Sequence, residues 1–181
     1  MESDRLNRWL TLAANFGVIL GIVFVVLEIR QNRDIAMAQV RLEYAAGWRS
    51  IDEQRQDEAF AGVYSKSILR PDELTLREII QLDAYYAGVI DQMLSAQTAS
   101  KAGLREGQLQ DVALQVAIGY FSNAYAQAWW QENRQLWTSP NVIEFQKIMD
   151  AAISATSKSD NLEYFEGIQR RLTRASKNTA N

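Results

Sequence analysis

The chain has 181 residues, a formal net charge of −3 and a pI near 5.1. It contains no cysteine and no histidine, which removes disulfides, thiolate nucleophiles, Ser-His-Asp triads, HExxH zinc helices and Glu-x-x-His di-iron pairs. The acidic balance argues against nucleic acid as a partner, because phosphate binding needs a basic footprint.

Two prolines and nine glycines leave little to interrupt a helix, and no run alternates with period two between turn residues. The expectation is an all-α chain. A short tail over residues 1–8 leads into residues 9–27, in which no residue is charged and only Thr11 and Asn15 are strongly polar. At ~1.5 Å per residue that run reaches about 28 Å, close to the ~30 Å of a bilayer's hydrocarbon core. A signal peptide has a shorter apolar core followed by a small-x-small cleavage site, whereas here the run passes directly into Glu28-Ile29-Arg30-Gln31. A helix in a soluble core shows a polar face, and residues 16–27 show none. The run reads as a permanent transmembrane helix. Arg5 and Arg8 precede it and Arg30, Arg33 and Arg41 follow it, a positive bias that places the larger part of the chain in the cytoplasm.

Ala13, Gly17 and Gly21 recur every fourth residue and form one ridge of small side chains along this helix. Such ridges let two backbones approach closely in lipid, and the Asn15 amide beside them needs partners there. The ridge and Asn15 read as a self-association face or as the polar lining of an oligomeric pore. The plainer reading is that glycine is common in membrane helices and Asn15 sits near the interface. Glu28, Arg30 and Arg33, at the membrane exit, are charged rings at a pore mouth in an oligomer and interfacial anchors in a monomer.

No helix stop follows. Ile29, Ala36, Val40, Tyr44, Trp48 and Ile51 keep one helical stripe, so residues 28–55 are expected to continue the membrane helix as a stalk packed on a four- to five-helix bundle over residues 57–174. Asp57 is placed to cap a helix from Glu58 to Leu69, ended by Arg70-Pro71. Thr75-Leu-Arg-Glu78 is a capping box opening a helix to about Ala99. Gly103 marks a turn. A further helix is expected from Arg105 to Trp137, kinked between Gly119 and Asn123. Ser139-Pro140 has the order of a helix start, and Asp160-Asn-Leu-Glu163 is a second capping box. Residues 175–181 read as a flexible tail.

Asp83 falls within the stripe Leu76, Ile80, Ala87, Ile90 and Leu94, so it reads as a buried polar candidate. A buried carboxylate needs a partner, and Arg41, Arg49 or a tyrosine hydroxyl is the expected one. Asp83 is either a structural pin or a sensing site with a shifted pKa. Tyr125, Trp129, Trp130 and Trp137, with Tyr120 and Phe121, form a dense aromatic cluster that reads as core or as a contact surface. Arg170, Arg171, Arg174 and Lys177 are a solvated end or a patch for anionic lipid.

LEIRQN at residues 27–32, directly after an apolar helix, resembles a group of uncharacterised bacterial membrane-anchored helical proteins. The likeness extends to Gly103-Leu104 between long helices, to Trp129, Trp130 and the following Arg134, and to Ser139-Pro140 with the downstream Phe145. The resemblance implies an architecture and an inner-membrane location, and no activity.

The function expected is that of a non-enzymatic single-pass membrane protein whose helical domain self-associates or recruits a protein partner, with no cofactor, metal or nucleic acid. The alternative is a homo-oligomeric pore lined by the amino-terminal helix.

Overall fold

The structure, a computed structural model, describes residues 2–105, 107–137 and 140–179. All regular structure among them is helical: α1 (Glu2–Gln56), α2 (Glu58–Leu69), α3 (Leu76–Lys101), α4 (Leu109–Tyr120), α5 (Ala124–Asn133), α6 (Pro140–Ser154) and α7 (Asp160–Thr179), with single 3-10 turns at Pro71–Glu73 and Arg134–Leu136. The chain divides into two compact units, Met1–Leu42 and Glu43–Asn181.

By length and composition, α1 is apolar enough to cross a membrane, and its amino-terminal part makes up the first unit. From Trp9 to Leu27 every large apolar side chain is 44–72% exposed.

In the second unit the caps are local. The Asp57 carboxylate accepts from Phe60 N at 3.0 Å and starts α2. Thr75 Oγ1 accepts from Glu78 N at 3.4 Å while Glu78 Oε2 accepts from Thr75 N at 2.7 Å, which closes the capping box of α3. That helix ends on a Schellman motif. Gly103 has φ +67°, its N–H reaches Ser100 O at 3.0 Å, and Leu104 N reaches Ala99 O at 2.9 Å.

The helix expected over residues 105–137 is two helices rather than one kinked one. It breaks at Phe121–Asn123, where Asn123 is extended and its Oδ1 accepts from Ala126 N at 2.9 Å to start α5. An N-cap of this strength ends one helix by starting another. The expected box from Asp160 to Glu163 does not form either. Asp160 is already helical, its carboxylate accepts from Ser157 N at 2.8 Å, and Glu163 accepts from Ser159 Oγ at 2.8 Å. Ser139 lies outside the described residues, and so do Ala180, Asn181 and the side chains of Arg5 and Lys177. Helix α7 runs past residue 174 to Thr179.

One apolar cluster joins Ile51 at the end of α1 to α2, α3, α4, α5 and α6. Trp130, Tyr85, Tyr86, Phe121 and Phe145 are its largest fully buried side chains. Their rings meet edge-on or tilted, at 5.2 Å for Tyr85–Tyr86 and 5.4 Å for Tyr86–Phe121, as ring quadrupoles favour. The expected stripe of α3 is corrected: Leu76 and Ile80 are exposed, and Leu82, Tyr85, Tyr86, Val89, Ile90 and Met93 make the buried face. Of the stalk stripe, Ile51 is buried, Tyr44 and Trp48 are half-buried, and Ile29 is exposed. Gln92 Nε2 donates to Tyr44 O at 2.8 Å and ties α3 to this end of α1.

Candidate functional site

The small-residue ridge is open. Ala13, Asn15, Gly17 and Gly21 are all exposed, and a Cβ added at Gly17 or Gly21 would meet nothing within 4 Å. Glu28, Arg30 and Arg33 are exposed as well. Thr11 satisfies itself, its hydroxyl donating to Asn7 O at 2.8 Å.

Asp83 is not buried. It is exposed, and its partner is an indole rather than an arginine or a tyrosine: Trp129 Nε1 donates to Asp83 Oδ1 at 2.8 Å. The physical reason lies in α3. Near its start, the flank that carries Leu76, Ile80 and Asp83 is uncovered; two turns later the same flank is buried at Ile90.

The aromatic residues are mostly interior. Trp129 and Trp130 are buried, while Tyr125 and Trp137 are half-buried. The Trp137 ring lies tilted 5.8 Å from that of Trp130 and edge-on 6.4 Å from that of Trp129. Trp130 Nε1 donates to Asp150 Oδ1 at 2.8 Å, and the other oxygen of Asp150 pairs with Arg134. The two neighbouring indoles therefore reach carboxylates on two different helices, α3 and α6. Burial, with the Asp83 carboxylate nearby, pushes the Tyr125 hydroxyl up to about 12.

One concave feature was not foreseen from the sequence. A cleft of about 700 Å³ opens between α2, the end of α4 and the start of α7. Its walls are Ala61, Ile68 and Leu69 from α2, Ile118 from α4, and Leu162 and Phe165 from α7. Arg55, Tyr64 and Asn161 bring polar groups to it.

Arg55 is tightly held. Its guanidinium lies 5.2 Å from the Tyr120 ring centre and 6.0 Å from that of Tyr64, and Nη2 donates to Asp52 Oδ1 at 3.1 Å. The Tyr120 hydroxyl also reaches Asp52, at 3.4 Å. Behind them the Tyr85 hydroxyl is buried without a hydrogen-bond partner. Burial pushes the Tyr120 hydroxyl up to about 12 and those of Tyr64 and Tyr85 upward too, so all three are neutral donors at pH 7. Arg55 does carry a sequence signal, because it continues the stripe of Tyr44, Trp48 and Ile51 by one more step of four.

Among the described residues, no group of three or more acidic side chains is placed to hold a metal ion. In comparisons with known proteins, the chain matches no protein-family model, no curated protein and no solved structure.

Proposed function

We propose that this chain is a single-pass protein of a bacterial inner membrane. Residues 9–27 span the bilayer, and the helical bundle on its cytoplasmic side self-associates or recruits a protein partner. The observation that carries the reading is the unbroken exposure of the large apolar side chains from Trp9 to Leu27. Moving one such side chain out of water is worth roughly 1.5–3 kcal/mol, so the run has a strong drive toward an apolar surrounding. The open ridge of Ala13, Gly17 and Gly21 supports association through this helix, since small side chains are what close helix packing in lipid uses. The role proposed is non-catalytic, in keeping with a chain that has neither cysteine nor histidine.

The test is membrane fractionation followed by native mass spectrometry of the gently extracted chain and of Gly17→Leu. The reading expects a carbonate-resistant membrane protein and a defined oligomer that Gly17→Leu dissociates. Recovery in the soluble fraction defeats the anchor. A monomer in both samples defeats assembly through the ridge and leaves recruitment of another protein.

A further inference from the structure

We infer that the cleft between α2, α4 and α7 is a binding site for an acyl chain with an anionic head, the chain against Ile68, Ile118 and Phe165 and the head at Arg55. The inference does not rest on membrane anchoring, because every lining residue belongs to the unit Glu43–Asn181.

The cavity is of ligand size: about 700 Å³ lies within the ~300–1,000 Å³ typical of small-molecule sites. Its walls are apolar yet wet, with Leu69 56%, Ile118 48% and Phe165 49% exposed. Such surface favours an apolar occupant, because covering it removes apolar area from water. The polar groups are few, as orientation of an amphiphile requires. Arg55 is clamped against two tyrosine rings and Asp52, so little side-chain entropy is lost when it meets a ligand. A guanidinium has five N–H donors, and Asp52 does not exhaust them.

The second observation is independent of Arg55. Asn161 lines the cleft and is only 6% exposed; its Oδ1 accepts from Ser122 Oγ at 2.9 Å, while its amide nitrogen has no acceptor. A buried donor without a partner is costly, and a turn of this side chain toward an accepting group in the cleft relieves that cost. Asp160, also on the lining, has its carboxylate turned to Ser157 N, from which it accepts at 2.8 Å. A carboxylate head complements the Arg55 guanidinium, and a cationic head does not.

The experiment uses the full chain, in whichever fraction it is isolated, and a diazirine-bearing palmitate as the probe. Photo-labelling is read peptide by peptide. The expected result is labelling within Ala61–Leu69 and Leu162–Phe165 that unlabelled palmitate competes away and that cetyl alcohol competes about tenfold less well. Arg55→Gln is expected to weaken labelling about tenfold. Ser65→Trp, an exposed lining position, is expected to fill the cleft and abolish labelling with an unchanged circular dichroism spectrum. Competition by phosphatidylglycerol as effective as by palmitate identifies the chain of an anionic bilayer lipid as the source. Labelling confined to residues 9–27, labelling untouched by Ser65→Trp, or equal competition by cetyl alcohol each overturns the inference. Failure of the anchor reading leaves these outcomes unchanged, since the labelled peptides lie in the other unit.

Discussion

The indole N–H of Trp129 donates to Asp83 Oδ1 at 2.8 Å, joining α5 to α3 at the edge of the aromatic core. Trp129 is 6% exposed, so its N–H has little recourse to water if the carboxylate is lost. Asp83→Ala is expected to cost about 1–3 kcal/mol by leaving that donor unmet, whereas Asp83→Asn keeps an acceptor and is expected to cost less than about 1 kcal/mol. Urea unfolding followed by tryptophan fluorescence separates the two. Equal losses in both variants mean that the negative charge matters, and not the hydrogen bond.

This pair also marks where sequence reading stops. The starts of α2 and α3 are legible because each cap closes within four residues: Asp57 to Phe60, and Thr75 to Glu78. The break before α5 was half legible, since Asn123 is a strong cap but the surrounding apolar residues keep a helical period. Asp83 was misplaced because a wheel assigns one buried face to a whole helix, while the covered face of α3 changes along its length. The cleft was invisible for a different reason. Arg55, Ile68, Ile118 and Phe165 come together only through the packing of four helices, and no local pattern records that.

Gly103 ends α3 with φ +67°, a conformation that places a Cβ against the following carbonyl. Gly103→Ala is expected to destabilise the domain by about 1–2 kcal/mol. Gly103→Asn, which tolerates this region better, is expected to lose less. Thermal unfolding of the pair decides, and an alanine variant as stable as the parent means that the turn is not held in this form.

Gly47 sits where α1 passes the side chain of Gln92. A Cβ at position 47 would fall 2.1 Å from Gln92 Oε1, so Gly47→Ala must push that amide away from Tyr44 O. Alanine gains about 1 kcal/mol of helix propensity, and the lost hydrogen bond costs about as much. The single variant is therefore expected to be neutral or destabilised. Gly47→Ala in a Gln92→Ala background is expected to be stabilising by up to about 1 kcal/mol relative to Gln92→Ala alone. The sign change between backgrounds is the measurement, and its absence removes the proposed conflict.

Glu78 is held near about 2 by the Thr75 backbone N–H first, then by the Lys66 ammonium at 2.9 Å and the Thr75 hydroxyl. Its folded pKa lies below the ordinary 4.5, so the stabilising contribution is complete above about 4.5 and is lost as pH falls through about 2. Stability of the parent is expected to decline over that window more steeply than that of Glu78→Gln. Parallel acid limbs for the two proteins assign the decline to other carboxylates.

Orientation is the last expectation open to a direct measurement. Arg30, Arg33 and Arg41 follow the apolar run and only Arg5 and Arg8 precede it, a bias from which the carboxy-terminal side is expected in the cytoplasm. Because the chain has no cysteine, one introduced thiol is the only one present. Asn7→Cys and Ser154→Cys both occupy exposed positions, one on each side of the run. A membrane-impermeant maleimide is expected to label Asn7→Cys in intact spheroplasts and Ser154→Cys only after lysis. The opposite pattern puts the domain outside the cytoplasm. In that case a ligand for the Arg55 cleft would have to come from outside the cell.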